Sequence, residues 1–252
     1  MLPVMIVYSL VATVLVLISG YSQAIILDCT YAEKNIWQIN KLYTCTGRVI
    51  IVGDLHIITH VSNNHLSKRD NGDVKGVSIR NQELDFAPRN LGEFFPNLES
   101  LDISQSKLKE IRREDLENLP NLKQLHLNNN NIQFVEKNLF ENNPQLHAIS
   151  FLNNPVKHVA YSVFDNLSDL KSLRFEGTTC INLGYDKNRA KVETLISQLA
   201  KNCAPTFEMT EAEIINGVEL RRKVYQLMDE KDKHLEWELM EIKRKLKQLE
   251  EW

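Results

Sequence analysis

Two groups of residues in this 252-residue chain have the types and spacing to do chemistry. The first is four cysteines. Cys29 and Cys45 lie 16 apart near the start, and Cys180 and Cys203 lie 23 apart much later. The first 24 residues carry no charged side chain and hold an apolar run from Leu2 to Ile18, with Ser22 and Ala24 spaced like a signal-peptidase site. Residues 1–24 therefore read as a secretory signal peptide, with a retained signal anchor as the alternative. In an oxidising compartment an even cysteine count suggests disulfides. The expected pairing is local, Cys29–Cys45 and Cys180–Cys203, because each pair brackets one end of the patterned region. Loops of this size contribute roughly 3 kcal/mol each in the chain-entropy account. Free buried thiols are the alternative; a zinc site is not expected, since no CxxC or Cys/His cluster sits at ligand spacing.

The second group is a polar series that returns every 24 positions. Arg80, Asp102, Gln124, His126, Asn128, Ser150, Arg174 and Glu176 belong to it, with Leu152 as an apolar member. These side chains offer hydrogen bonds and charge, which suits recognition. No GxSxG, HExxH, P-loop or GxGxxG occurs, so no catalytic activity, cofactor or metal is expected. Glu114-Asp115 reads as a charged, solvated turn. The net charge of −3 gives no global basic field for nucleic acid.

What positions the polar series is an apolar rhythm that fits neither a helix nor a strand. Leu122, Leu125, Leu127, Ile132, Val135 and Phe140 are separated by 3, 2, 5, 3 and 5 residues. A helix face needs intervals of 3 and 4, a half-buried strand intervals of 2. Shifted by 24, the pattern recurs from Val74, Leu98, Leu146 and Leu170. Five starts in one register mark a repeat architecture.

The segments LESLDISQSKL, LKQLHLNNNNI and LHAISFLNNPV resemble the leucine-rich repeat, LxxLxLxxNxL, and the period resembles its extracellular type. The resemblance covers residues 74–180, and with flanking caps 25–203. It implies an α/β solenoid: a right-handed superhelix of about five 24-residue coils with disulfide-tied caps. In each coil the LxL pair points inward from a short strand. Asn130 and Asn154 turn their side chains inside and bond backbone groups that would otherwise be buried unpaired. Gln82, Ser106 and Thr178 replace that Asn, so the polar ladder is expected to weaken at both ends. Leu116, Phe140 and Phe164 fill the returning side. The outward residues then form a ribbon on the concave sheet, and Arg80, Asp102, Arg174 and Glu176 are placed either to meet a partner or to pair with one another.

Residues 25–73 are expected to form an N-terminal cap with a turn at Asn71-Gly72, and 181–205 a C-terminal cap helix with Val192, Leu195, Ile196 and Leu199 on one face. Residues 206–252 are densely charged and lack proline. Thr210 and Glu213 form a possible capping box. Leu235, Leu239, Ile242, Leu246 and Leu249 continue a seam of 3 and 4 spacings, expected to be a helical coiled coil for oligomerisation, with a solvated single helix as the alternative. A secreted leucine-rich repeat followed by a coiled coil resembles the leucine-rich immune-type proteins of insects. That resemblance implies a non-enzymatic, extracellular module binding a secreted or cell-surface protein, or a glycan, with the tail forming homo- or hetero-dimers. An extracellular-matrix or adhesion component with the repeats as spacer is the competing expectation. Asn166-Leu167-Ser168 is the N-glycosylation sequon.

Overall fold

The structure is a computed structural model that describes residues 24–36, 39–52, 57–62 and 64–205. Apart from Ala24, the signal peptide expected at 1–24 and the coiled coil expected at 206–252, with Leu235, Leu239, Ile242, Leu246 and Leu249, lie outside the described residues.

The described chain opens with a long antiparallel hairpin, β1 (Ala24–Ile36) and β2 (Ile39–Val52), rich in β-branched residues. Strand β3 (Ile58–Val61) runs parallel along β1. The polar loop that follows ends in a 3₁₀ turn at Asn71–Asp73, where Asp70 Oδ1 accepts from Gly72 N and Asp73 Oδ2 accepts from Asp70 N. Repeating strands then appear once per coil: β4 (Gly76–Ser78), β5 (Ser100–Asp102), β6 (Gln124–His126), then β8 (Ala148–Ser150) and β10 (Ser172–Arg174). They pair in parallel, each displaced by one period from the last, and β4 joins the cap through β2. One register line runs Cys45, Val77, Leu101, Leu125, Ile149, Leu173, and all six side chains are buried. The 24-residue spacing thus stacks like on like, and each coil buries its apolar surface against its neighbours.

After β10 the chain reverses into β11 (Gly184–Tyr185), antiparallel to it. The repeat region therefore completes four turns, and the fifth start supplies a strand but no further coil. The last helix, Arg189–Asn202, buries Val192, Leu195 and Leu199 while Ile196 is only partly covered. Asn188 caps its start by accepting from Lys191 N, and Arg189 Nη1 donates to the carbonyls of Leu167 and Leu170, which the missing next coil leaves unpaired. Both disulfides follow the local pairing, Cys29–Cys45 and Cys180–Cys203.

The returning side is more varied than an extended or 3₁₀ path. It carries two four-residue helices, α1 (Leu91–Phe94) and α2 (Arg113–Leu116), in the earlier coils. The later coils instead carry β7 (Phe134–Val135) and β9 (His158–Val159), which pair in parallel as a second small sheet. The long helix at 189–202 is α3. Phe140 stacks on Phe164 at 5.8 Å, and Phe151 lies 5.1 Å from Phe175.

The inner turns are held by side-chain amides. Asn130 Oδ1 accepts from the backbone N of Ser106 and Leu108, at 2.9 and 3.1 Å, while its Nδ2 donates to the carbonyls of Ile103 and Leu127. Asn154 repeats the arrangement one coil later, through Ile132 N, Leu127 O and Phe151 O. At the N-terminal end the ladder does not weaken. Ser106 Oγ still reaches Ile79 O in the preceding coil, and the longer Gln82 spans to the cap, pairing with Val49 N and Gly47 O. At the C-terminal end Thr178 Oγ1 donates forward to Ile181 O, so there the ladder does stop.

Candidate functional site

The outward residues of the repeating strands form two register lines. The first runs Thr44, Gly76, Ser100, Gln124, Ala148, Ser172, and the second Thr46, Ser78, Asp102, His126, Ser150, Arg174. Successive side chains on a strand alternate faces, so both lines share the side opposite the leucine core. The first line is buried along its whole length. Gln124, expected as an outward polar contact, is fully buried, and neither of its amide atoms has a hydrogen-bond partner.

The second line borders a groove of about 380 Å³. Its floor draws on Asp102, His126, Asn128, Ser150 and Arg174, with Arg80 at the N-terminal end. Lys34, Asn35 and Ile36 complete one wall from the tip of the cap hairpin. These three were not among the sequence candidates. The repeat phase carried no signal for them, because they lie in the cap, where Lys34 and Ile36 pair within the hairpin with Leu42 and Ile39. The groove is thus shared between the coils, which supply most of its lining, and the hairpin, which supplies Lys34, Asn35, Ile36 and Thr44.

The charged members pair with one another. Arg80 Nε lies 3.6 Å from Asp102 Oδ2, and Arg80 Nη2 lies 3.4 Å from Gln105 Oε1. Asp102 Oδ1 also accepts from Ser104 N. Arg174 and Glu176 make a shorter contact, 3.0 Å, and Glu176 lies against Gly184 outside the groove. His126 is 6% exposed. Burial lowers its pKa from 6.5; Asp102 acts in the opposite direction and Arg80 in the same one. Asn128 Oδ1 is buried with no hydrogen-bond partner. Ser150 is buried on the floor. Leu152 is half-buried and does not line the groove.

Beyond the strands, one repeat position takes a left-handed backbone in every coil: Asn81, Gln105, Asn129, Asn153 and Gly177, with φ of 57, 58, 55, 54 and 68°. They lie 24 residues apart. Asn and Gly favour that region, so their recurrence at one phase was the sequence signal. Asn153 Nδ2 donates to Asn129 Oδ1 at 3.0 Å, which extends an amide ladder along the rim.

Glu114 and Asp115 do not form a merely solvated turn. The Asp115 carboxyl is buried; Oδ1 accepts from Arg89 Nε at 2.7 Å and Oδ2 from Arg112 N at 2.8 Å. Burial raises its pKa and that of the neighbouring Glu136, despite these hydrogen bonds. The pair with Arg89 pins α2 to the preceding coil, which is a structural task. Asn166 is exposed, but its Nδ2 donates to Phe140 O at 2.7 Å, so the nitrogen that a glycan would use is engaged. Among the described residues, no group of three or more His, Cys, Asp or Glu side chains is placed to hold a metal ion, and no helix is long and apolar enough to cross a membrane.

Comparison with protein families matches residues 74–132 and 120–179 to the leucine rich repeat. Residues 74–179 are a leucine-rich repeat region. No curated protein matches the chain. Among solved structures it is similar to a chain of the Toll–Spatzle complex, described as a molecular hub in Drosophila development and innate immunity. The identity is 15%, the TM-score 0.41, and the match covers 48% of this chain and 17% of that one. The chain thus spans about a sixth of that protein's length, and a likeness of this degree carries no functional argument. The repeat solenoid is generally a non-catalytic fold.

Proposed function

We propose that this chain is a secreted, non-enzymatic recognition module that binds a protein on its concave face, with residues 206–252 assembling dimers. The observation that carries the reading is the groove itself. Side chains from successive coils and from the hairpin tip converge on one surface held by parallel strands. A preformed surface of this kind binds with little ordering cost. The two disulfides support an oxidising compartment, in keeping with the signal peptide expected at 1–24. Membership of an innate-immune pathway is part of the proposal and rests on the insect-type sequence resemblance alone.

The test is recovery of partners from extracellular fluid by the full chain. Proteins retained by the native chain should be lost on Arg80→Glu or Arg174→Glu, while Lys157→Glu, at an exposed position beside Gln133 on the returning side, keeps them. Equal retention by all three variants would remove the concave face from the proposal.

A further inference from the structure

We propose that the groove is selective for an extended acidic peptide segment with two carboxylates about six residues apart. This rests on the reading of the concave face as a protein-binding surface and adds the chemistry of what it takes.

Charge supplies the first argument. The groove is bordered by three cations, Lys34, Arg80 and Arg174, and one carboxylate, Asp102, although the whole chain is acidic. Lys34 and Arg80 sit at the N-terminal end and Arg174 at the other. The ion pair between Arg80 and Asp102 is long at 3.6 Å, its contact with Gln105 is 3.4 Å, and the Arg80 side chain is 50% exposed, so an incoming carboxylate can reach it. Arg174 donates to Glu176 through Nε and Nη2, and with its side chain 33% exposed its Nη1 is the group left to meet a second carboxylate.

Spacing supplies the second argument. From β4 to β10 there are four strand steps, roughly 19 Å at about 4.8 Å per step. An extended peptide covers that distance in about six residues, at roughly 3.3 Å each. Between the cationic ends the floor is polar, with Asp102 near the Arg80 end and the uncharged Asn128 and Ser150, with His126, beyond it.

The floor decides between peptide and polyanion. Asn128 Oδ1 is an acceptor without a donor, and Asp102 is an acceptor carrying negative charge. A sulfated glycan brings mostly acceptors and continuous negative charge, which would leave the first unmet and repel the second. A peptide backbone brings N–H donors between its charged side chains. The mid-segment over Asp102 can be neutral.

The experiment pans the full chain against a random linear dodecapeptide display library. It then measures a recovered peptide, and a heparin hexasaccharide, by fluorescence anisotropy. Enrichment of Asp or Glu pairs separated by five to seven positions is expected. Affinity should fall tenfold or more in Arg80→Gln and in Arg174→Gln, and be lost in Ser78→Trp, which fills the groove; thermal melts confirm that each variant folds. Peptides sensitive to Ser78→Trp but without acidic pairs overturn this proposal and leave the recognition reading standing. Peptides indifferent to Ser78→Trp overturn both. Tighter binding of the hexasaccharide, lost in Arg80→Gln, overturns the peptide class, and so does failure to recover any peptide.

Discussion

Asn130 satisfies four backbone groups with one side chain, two N–H and two C=O. Replacing it by Ala leaves Ser106 N, Leu108 N and Ile103 O unmatched, while Leu127 O keeps its bond from Asn154 Nδ2. Asn130→Ala should therefore cost roughly 3 kcal/mol or more in denaturant unfolding, against about 1 kcal/mol for the exposed neighbour Asn129→Ala. Equal losses would show that the ladder is not what holds the turn. Gly177 combines φ of 68° with a close approach: an added Cβ would stand 2.2 Å from Asn153 Oδ1. Gly177→Ala should cost about 1–2 kcal/mol and disturb the rim amides. His126 and His147 give a pH dependence. Burial lowers both pKa values, helped at His147 by Lys123 and Lys171. A histidine whose folded pKa is depressed favours the neutral form, so the unfolded chain binds more protons below about 6.5. Stability is full above that pH and falls as pH drops through the folded values. A pH series of urea midpoints should show the decline, and His126→Gln should flatten part of it.

At the scale of elements, α3 does the work of the absent next coil. It covers the apolar face of β10's coil with Val192, Leu195 and Leu199, and Arg189 takes up the free carbonyls. Cys203 lies just past the helix and Cys180 at the end of the repeat, so the disulfide clamps the lid shut. The double change Cys180→Ser with Cys203→Ser should cost roughly 3 kcal/mol. Amide exchange should then accelerate first in α3 and β10; uniform acceleration would contradict a local clamp. The returning side shows what a repeat tolerates. One coil carries a four-residue helix, while each of the next two carries a two-residue strand at a slightly earlier phase. Gly92 marks a tight point on that side, since a Cβ there would stand 1.8 Å from Asn118 O.

For the molecule as a whole, stability is a sum over neighbouring coils, so the ends matter most. The chain divides into two compact units, residues 1–204 and 205–252. If the second oligomerises, the full chain should sediment as a dimer and a chain ending at residue 205 as a monomer. Monomeric full-length protein would return the leucine seam to the single-helix alternative.

The sequence by itself determined the solenoid. A period of 24 with inward leucines admits one stacking register, and Cys45, Val77, Leu101, Leu125, Ile149 and Leu173 line up as that period requires. The asparagine ladder followed from the same phase, because a buried turn must satisfy its own backbone. Neither the groove nor its wall was legible. Lys34, Asn35 and Ile36 lie outside the repeat, and their approach to Asp102 and His126 depends on how the paired end of the hairpin packs beside the coils, which the repeat phase does not encode. The burial of Gln124 and Asp115 was hidden for the same reason: repeat phase fixes which way a side chain points, but only its neighbours in three dimensions decide whether water still reaches it.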